Sequence, residues 1–215
     1  MKTFLLFVTF IVLVRADQKS IVVPKCPATP AFPTAPQSGL LRLTPFVNDS
    51  GNALAKYRTA ASVCHDGVSL RIFYRVSDPA VYNPLSGCNT ALYDYDAVET
   101  FLAIDDESGK VSKKYLEVEI LDFSGQLQDC NATGIKHKAS IIRGGYQAAL
   151  EIPFSNIYRA SGVEPSNKLP KLLGNFFRIE VDKKGPIEYS CWSSTFAEPA
   201  CFHKPAYFRK IRLQQ

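Results

Sequence analysis

The sequence is poor in the residues that carry redox, metal and nucleophile chemistry. It has one Met, one Trp and three His in 215 residues. Met1 departs with the leader described below, so a histidine–methionine haem site would have no methionine. His65, His137 and His203 lie in separate segments, which leaves only bis-histidine ligation. The absence of any Cys-x-x-Cys pair disfavours a zinc knuckle or a thioredoxin-like centre. GxSxG, HExxH and phosphate-loop patterns are missing too. Cys64-His65 is adjacent in sequence, but neighbours on a strand point to opposite faces. Past residue 16 no apolar run approaches ~18 residues, so no membrane span is expected. The end, Arg212-Leu213-Gln214-Gln215, offers no hydrophobic tail for a lipid anchor. No long basic stripe occurs, and the three charges of Arg209, Lys210 and Arg212 are weak grounds for nucleic-acid binding.

What is present is an ordinary globular balance. Apolar residues make up 46% and charged residues 21%, which excludes a disordered chain, a collagen-like repeat and a coiled coil. Fourteen Pro, 12 Gly and 12% aromatics favour strands and turns over long helices.

Residues 1–16 read as a secretory signal peptide. Lys2 gives the positive start, Phe4 to Val14 the apolar run, and Val14-Arg15-Ala16 the small residues at −3 and −1. A secreted, extracellular protein is expected. An even count of six cysteines then reads as up to three disulfides among Cys26, Cys64, Cys88, Cys130, Cys191 and Cys201. Six cysteines allow 15 pairings, and the sequence does not choose among them. Cys191 with Cys201, which bracket a short loop, is the one pairing put forward. Two sequons, Asn48-Asp49-Ser50 and Asn131-Ala132-Thr133, are glycosylation candidates and should lie on the surface.

Residues 17–45 form a Pro-rich N-terminal arm, with Pro24, Pro27, Pro30, Pro33 and Pro36 at every third position. From residue 46 to 215 the chain reads as one domain. Val68, Leu70, Ile72, Tyr74 and Val76 alternate with Ser69, Arg71, Phe73, Arg75 and Ser77, a strand with one buried face. Val98 to Ile104, Tyr115 to Ile120 and Phe176 to Asp182 alternate in the same way, and Ala206 to Leu213 closes the series. Gly144-Gly145, between Ala139–Arg143 and Tyr146–Ile152, predicts a tight hairpin. The one helix expected, over Ser155 to Ser161, is short. Strands at this spacing without βαβ alternation predict an all-β, antiparallel, jelly-roll-like β-sandwich stabilised by disulfides.

Chemistry concentrates at two places. In NTALYDYDAVETFL (89–102), Glu99 shares a strand face with Phe101 beside Tyr93. A strong acceptor next to an aromatic plate suits a sugar, whose C–H face stacks while its hydroxyls are bound. The same acids also fit plain strand-edge solvation. Trp192, in Tyr189-Ser190-Cys191-Trp192, fits either a ligand platform or packing against a disulfide.

The ordered series SLRIFYRVSD, YDYDAVETFL, KKYLEVEIL, GGYQAALEIPFSNI, GNFFRIEV, YSCWSS and FHKPAYFRKIRL resembles the carbohydrate-binding module family 9-like domain, over roughly Ala60 to Leu213. The resemblance implies a β-sandwich that binds sugars without cleaving them. It implies that Tyr93 and Trp192 clamp a pyranose ring and that Glu99 and Asn175 hydrogen-bond its hydroxyls. Tyr93 stands where well-studied binders have a tryptophan, and Glu117 where they place an arginine. Arg71, Arg75 and Arg178 are possible helpers through guanidinium forks. Some members carry structural calcium, for which Asp105, Asp106 and Glu107 are candidates; no other cofactor is expected.

The expected role is thus a secreted, non-catalytic carbohydrate-binding protein. The rival is a secreted structural or protein-interaction sandwich that has lost the sugar. A glycosidase would need two carboxylates across a cleft, and no spacing among Glu99, Glu117 and Glu151 identifies a pair.

Overall fold

Alternating apolar residues divide most strands into two faces, and the computed structural model shows where each face goes. It describes residues 20–27, 39–85, 92–110, 113–120, 123, 133–182 and 186–215. The strands are β1 (Ile21–Val23), β2 (Leu41–Leu43), β3 (Val47–Asn48), β4 (Thr59–His65), β5 (Ser69–Ser77), β6 (Ala97–Ile104), β7 (Leu116–Ile120), β8 (Lys136–Ile142), β9 (Gly145–Pro153), β10 (Leu172–Glu180), β11 (Glu188–Cys191) and β12 (Arg209–Leu213). A single helix, α1 (Phe154–Ser161), follows β9. No helix among the described residues is long and apolar enough to cross a membrane.

Five strands form one sheet in the order β2-β4-β5-β9-β8, and seven form the other. The second sheet is organised around β10. One edge of β10 pairs with β6, which pairs in turn with β7. Its other edge is shared end to end, by β12 at Leu172–Gly174 and by β11 at Phe177–Glu180. Leu70, Ile72, Tyr74 and Val76 of β5 meet Val98, Leu102, Ile104 and Phe176 between the sheets. The Tyr74 hydroxyl spans the core to the Glu99 carbonyl and the Thr100 hydroxyl, both at 2.7 Å. This is the antiparallel β-sandwich expected from the sequence.

The seven-stranded sheet is also covered on part of its outer face. Phe202, on the loop before β12, stacks on Phe177 at 4.2 Å between ring centroids, and Phe208 meets Phe101 edge-on at 6.2 Å. This second apolar layer explains why every residue of β6 is buried.

Differences from the sequence reading are local. The expected arm, 17–45, is woven into the sandwich at its described ends: β1 pairs in parallel with β12, and β2 pairs with β4. Each is only three residues long, too short to show a period. The arm's middle, 28–38, lies outside the described residues. The hairpin turn is Arg143-Gly144, and Gly145 already pairs with Ile142 and Ser77. The closing strand starts at Arg209, because Pro205–Tyr207 form a 3-10 turn.

Cys26 and Cys64 form a disulfide that ties the segment after β1 to β4. The proposed Cys191–Cys201 bridge is absent: both thiols are free, and Cys191 is buried against Phe177 and Phe202. Asn48 sits in a tight turn where its carboxamide donates to Asn52 Oδ1 at 2.6 Å and accepts from the Asn52 and Ala53 N–H groups. Asp49 beside it is buried and accepts from Thr195 and Cys201. A glycan on Asn48 would therefore compete with the bonds that form this turn. Residues 1–16, Cys88, Cys130 and Asn131 lie outside the described residues.

Candidate functional site

The seven residues put forward for sugar binding do not meet. The fold distributes them over three layers. Arg71 and Arg75 point away from the core on the outer face of the five-stranded sheet, and Arg71 is held there by Asp66 at 3.0 Å and Glu151 at 2.9 Å. Arg178 and Trp192 lie on the inner side of the seven-stranded sheet, Arg178 facing Val98 across the β6–β10 pair and Trp192 packed on Phe176. Glu99 and Asn175 lie on that sheet's outer face, opposite Phe177 and Phe101 respectively. Tyr93 is 60% exposed in the 3-10 turn, 92–94, that precedes β6.

These placements differ from the expected clamp. Trp192 extends the register of β11, so its indole turns to the interior and meets Phe176 edge-on at 5.8 Å. The Arg209 guanidinium lies over the indole at 4.3 Å. The ring is thus engaged by the protein's own groups on two sides, and the sheet separates it from Glu99. Asn175 is fully buried, and its carboxamide is already satisfied. It donates to the Ser193 carbonyl at 2.7 Å and accepts from the N–H groups of Ser193 and Phe176. Its work is to fix the chain after Trp192. The two arginines of β5 are a whole sandwich away from Glu99, and Arg178 is bound internally.

What the fold does assemble is an acidic and aromatic face on β6 and β7. Register places Glu99 directly opposite Glu119, and Phe101 opposite Glu117. Glu99 is only 4% exposed, yet its carboxyl has no hydrogen-bond partner among the described residues. One oxygen of Glu119 is likewise buried without a partner. Burial, reinforced by Glu117 and Asp94, pushes the Glu119 carboxyl up to about 8. Burial, with Glu119 and Glu117 nearby, holds the Glu99 carboxyl well above the usual carboxylate range. Tyr115 stacks on Phe101 at 5.4 Å, and its hydroxyl bonds His203 Nδ1 at 2.7 Å. His203 Nδ1 also lies 3.8 Å from Glu117. Tyr93 lies in the turn that leads into β6, next to Asp94, whose charge reaches Glu119. Glu119, Tyr115 and His203 were not singled out from sequence. The signal was the period-two run Tyr115, Glu117, Glu119, but their meeting with Glu99 depends on register.

The second group of buried acids is internally answered. Asp78, Asp96 and Glu180 bring carboxylate oxygens within 4.8 Å of one another. Arg178 enters this group, binding Glu180 and reaching Asp78 at 3.3 Å. Asp96 accepts from the N–H groups of Tyr82 and Val181. Burial raises its carboxyl to about 6. The acids considered for calcium are spent elsewhere: Asp105 pairs with Arg212 at 2.8 Å, Glu107 with Lys171, and Asp106 accepts from Ser108. A cleft of about 460 Å³ opens beside β3 and β11, lined by Asn48, Lys56, Glu180, Asp182, Glu188 and Tyr189 among others. It contains none of the residues put forward for sugar binding.

No family model matches the chain, and no curated protein does. Solved structures do. A protein of Bacteroides uniformis to which carbohydrate binding is ascribed superposes with a TM-score of 0.68 at 20% identity, covering 91% of this chain and 99% of that one. A carbohydrate-binding module of family 9 from Caldicellulosiruptor kristjanssonii in complex with cellotriose gives 0.62 at 16% identity, over 91% of this chain and 94% of that one. The glucose complex of a family 9 module from the same organism gives 0.61 at 16% identity, over 91% and 96%. Nearly the whole of this chain thus has the two-sheet fold of the family 9 carbohydrate-binding modules.

Proposed function

We propose that the protein is an exported, non-catalytic carbohydrate-binding protein whose ligand rests against the outer face of β6 and β7. One observation carries the reading: Glu99, Glu117 and Glu119 share a single sheet face with Tyr115 and His203, Glu99 is buried there, and one carboxyl oxygen of Glu119 is buried without a partner. Sugar hydroxyls supply the donors such oxygens lack, and the flat rings suit a pyranose face. The family 9 modules with cellotriose and glucose add support through shared fold. Tyr93 and Glu99 keep the roles expected of them, as exposed aromatic and buried acceptor. Trp192, Asn175 and the three arginines drop out. The leader at residues 1–16 supports export.

A second reading, a sandwich that has kept the fold without the sugar, is favoured by Arg209 covering Trp192. Glycan-array screening and calorimetry separate the two. Wild type is expected to bind a glycan, Glu117→Ala and Tyr115→Ala to weaken it, and Arg71→Ala on the far sheet to leave it unchanged. Absence of binding to any glycan, or equal loss in Arg71→Ala, would overturn the first reading.

A further inference from the structure

We propose that the β6–β7 face takes a saccharide bearing a free, protonated amine, a hexosamine unit, in preference to a neutral sugar; this rests on the carbohydrate reading above.

The first ground is charge segregation. The stretch 86–134, which includes β6 and β7, contains ten of the chain's 20 acids against three basic residues, Lys110, Lys113 and Lys114. The chain as a whole is basic, at +5. Some of these acids are neutralised from elsewhere, as Asp105 is by Arg212 and Glu107 by Lys171. Among the described residues, the basic group that pairs with these glutamates is the His203 ring, 3.8 Å from Glu117.

The second ground is independent of the count. Glu99 is buried and projects onto this face, and neither its carboxyl nor the buried oxygen of Glu119 has a hydrogen bond among the described residues. A buried polar oxygen left unmatched is costly, so the Glu119 oxygen marks a missing partner. The interior cluster of Asp78, Asp96 and Glu180 shows how this same chain treats buried acids that need no ligand: it supplies Arg178. At β6–β7 no Lys or Arg among the described residues forms an ion pair with Glu99 or Glu119.

The missing partner has the chemistry of an ammonium on a sugar. A bare metal ion needs its ligand oxygens close together. Among the described residues only Asp78, Asp96 and Glu180 form such a group. An amine with adjacent hydroxyls spans wider spacings and presents several donors at once. Aromatic faces such as Tyr115 attract cations as well as C–H surfaces. Burial and mutual repulsion hold protons on Glu99 and Glu119 in the free protein, so an ammonium binds there with release of those protons.

The test uses the glucosamine trisaccharide, its N-acetylated counterpart and cellotriose, titrated calorimetrically into the full protein at about pH 7 and at about pH 8. The free-amine sugar is expected to bind roughly tenfold or more tightly than the other two, since charge-assisted hydrogen bonds are stronger than neutral ones. Added salt should narrow that gap. Glu117→Gln, at an exposed position, and Glu119→Gln should each reduce the preference without unfolding the protein, as checked by circular dichroism. Equal affinity for the amine and its acetylated form, or a preference that survives both substitutions, overturns the inference and leaves carbohydrate binding standing. Failure of all three sugars to bind overturns the inference, and an array without any binder overturns the underlying reading as well.

Discussion

Glu99 and Glu119 stand directly opposite each other across the β6–β7 pair, two buried or half-buried acids with no Lys or Arg recorded against either. Like charges at such a pair repel, and burial adds to the cost of ionising either one. The folded protein therefore keeps protons that the unfolded chain has released. For Glu119 this holds from the ordinary carboxylate range up to about 8.

Stability should consequently fall as pH rises through that window, because the folded state binds more protons there than the unfolded state. Glu119→Gln removes one of the two carboxyls. The variant should show a flatter stability profile and a higher urea midpoint than wild type near pH 8, with little difference near pH 5. Urea titrations at the two pH values check this.

Arg178 is the internal counter-charge for Asp78 and Glu180, and it is 1% exposed. Arg178→Met leaves those carboxylates buried without their cation. A loss of about 3–5 kcal/mol is expected, measured by denaturant unfolding. Adding Asp78→Asn should restore part of that loss, because it removes one of the stranded charges.

The strands that set the sandwich were legible because their faces differ. Leu70, Ile72, Tyr74 and Val76 announce a period of two, and β5 follows it residue by residue. β4 was not legible, since Thr59–His65 is buried on both faces and carries no alternation. Glu99 was visible as a chemical outlier on an apolar strand. Its partners were not, because strand register is a long-range property fixed by packing. Trp192 was ambiguous for a related reason. An aromatic next to a cysteine has two physical readings, and the register of β11 against β10 decides between them.

Trp192 is the only tryptophan, so its fluorescence reports on one place. That place is the inner rim of the sheet, beneath Arg209, not the face of Glu99. Saccharide binding should leave the emission maximum unchanged, whereas Arg209→Met should shift it. Trp192→Ala should lower stability by about 2–4 kcal/mol while leaving sugar affinity close to wild type. Emission spectra with and without ligand, followed by calorimetry on the variant, test both halves.

The Cys26–Cys64 bridge closes 38 residues of sequence, and it anchors a segment that touches both sheets through β1 and the Lys25–His65 bridge. Replacing both cysteines by Ser should cost about 2–4 kcal/mol by releasing the unfolded chain. The same loss should appear in wild type after reduction. Alkylation should be slow at Cys191, whose thiol burial pushes up to about 12, and faster at half-buried Cys201.

The β8–β9 hairpin provides a local test in which two adjacent glycines answer differently. Gly144 has a φ of 77° and open space where a side chain would project, so Gly144→Asn should be tolerated, Asn being at ease in the left-handed region. Gly145 has a φ of 153°, and a Cβ there would overlap the Val76 carbonyl oxygen across the β5–β9 pair. Gly145→Ala therefore forces β9 away from β5 just where Asp78 N–H donates to the Gly144 carbonyl at 3.0 Å. The expected result is a loss of several kcal/mol for Gly145→Ala, from backbone strain and the displaced strand end, against a near-neutral Gly144→Asn. Amide hydrogen exchange should place the change at the β5–β9 end of the sheet; uniform loss of protection across both sheets would contradict a local clash.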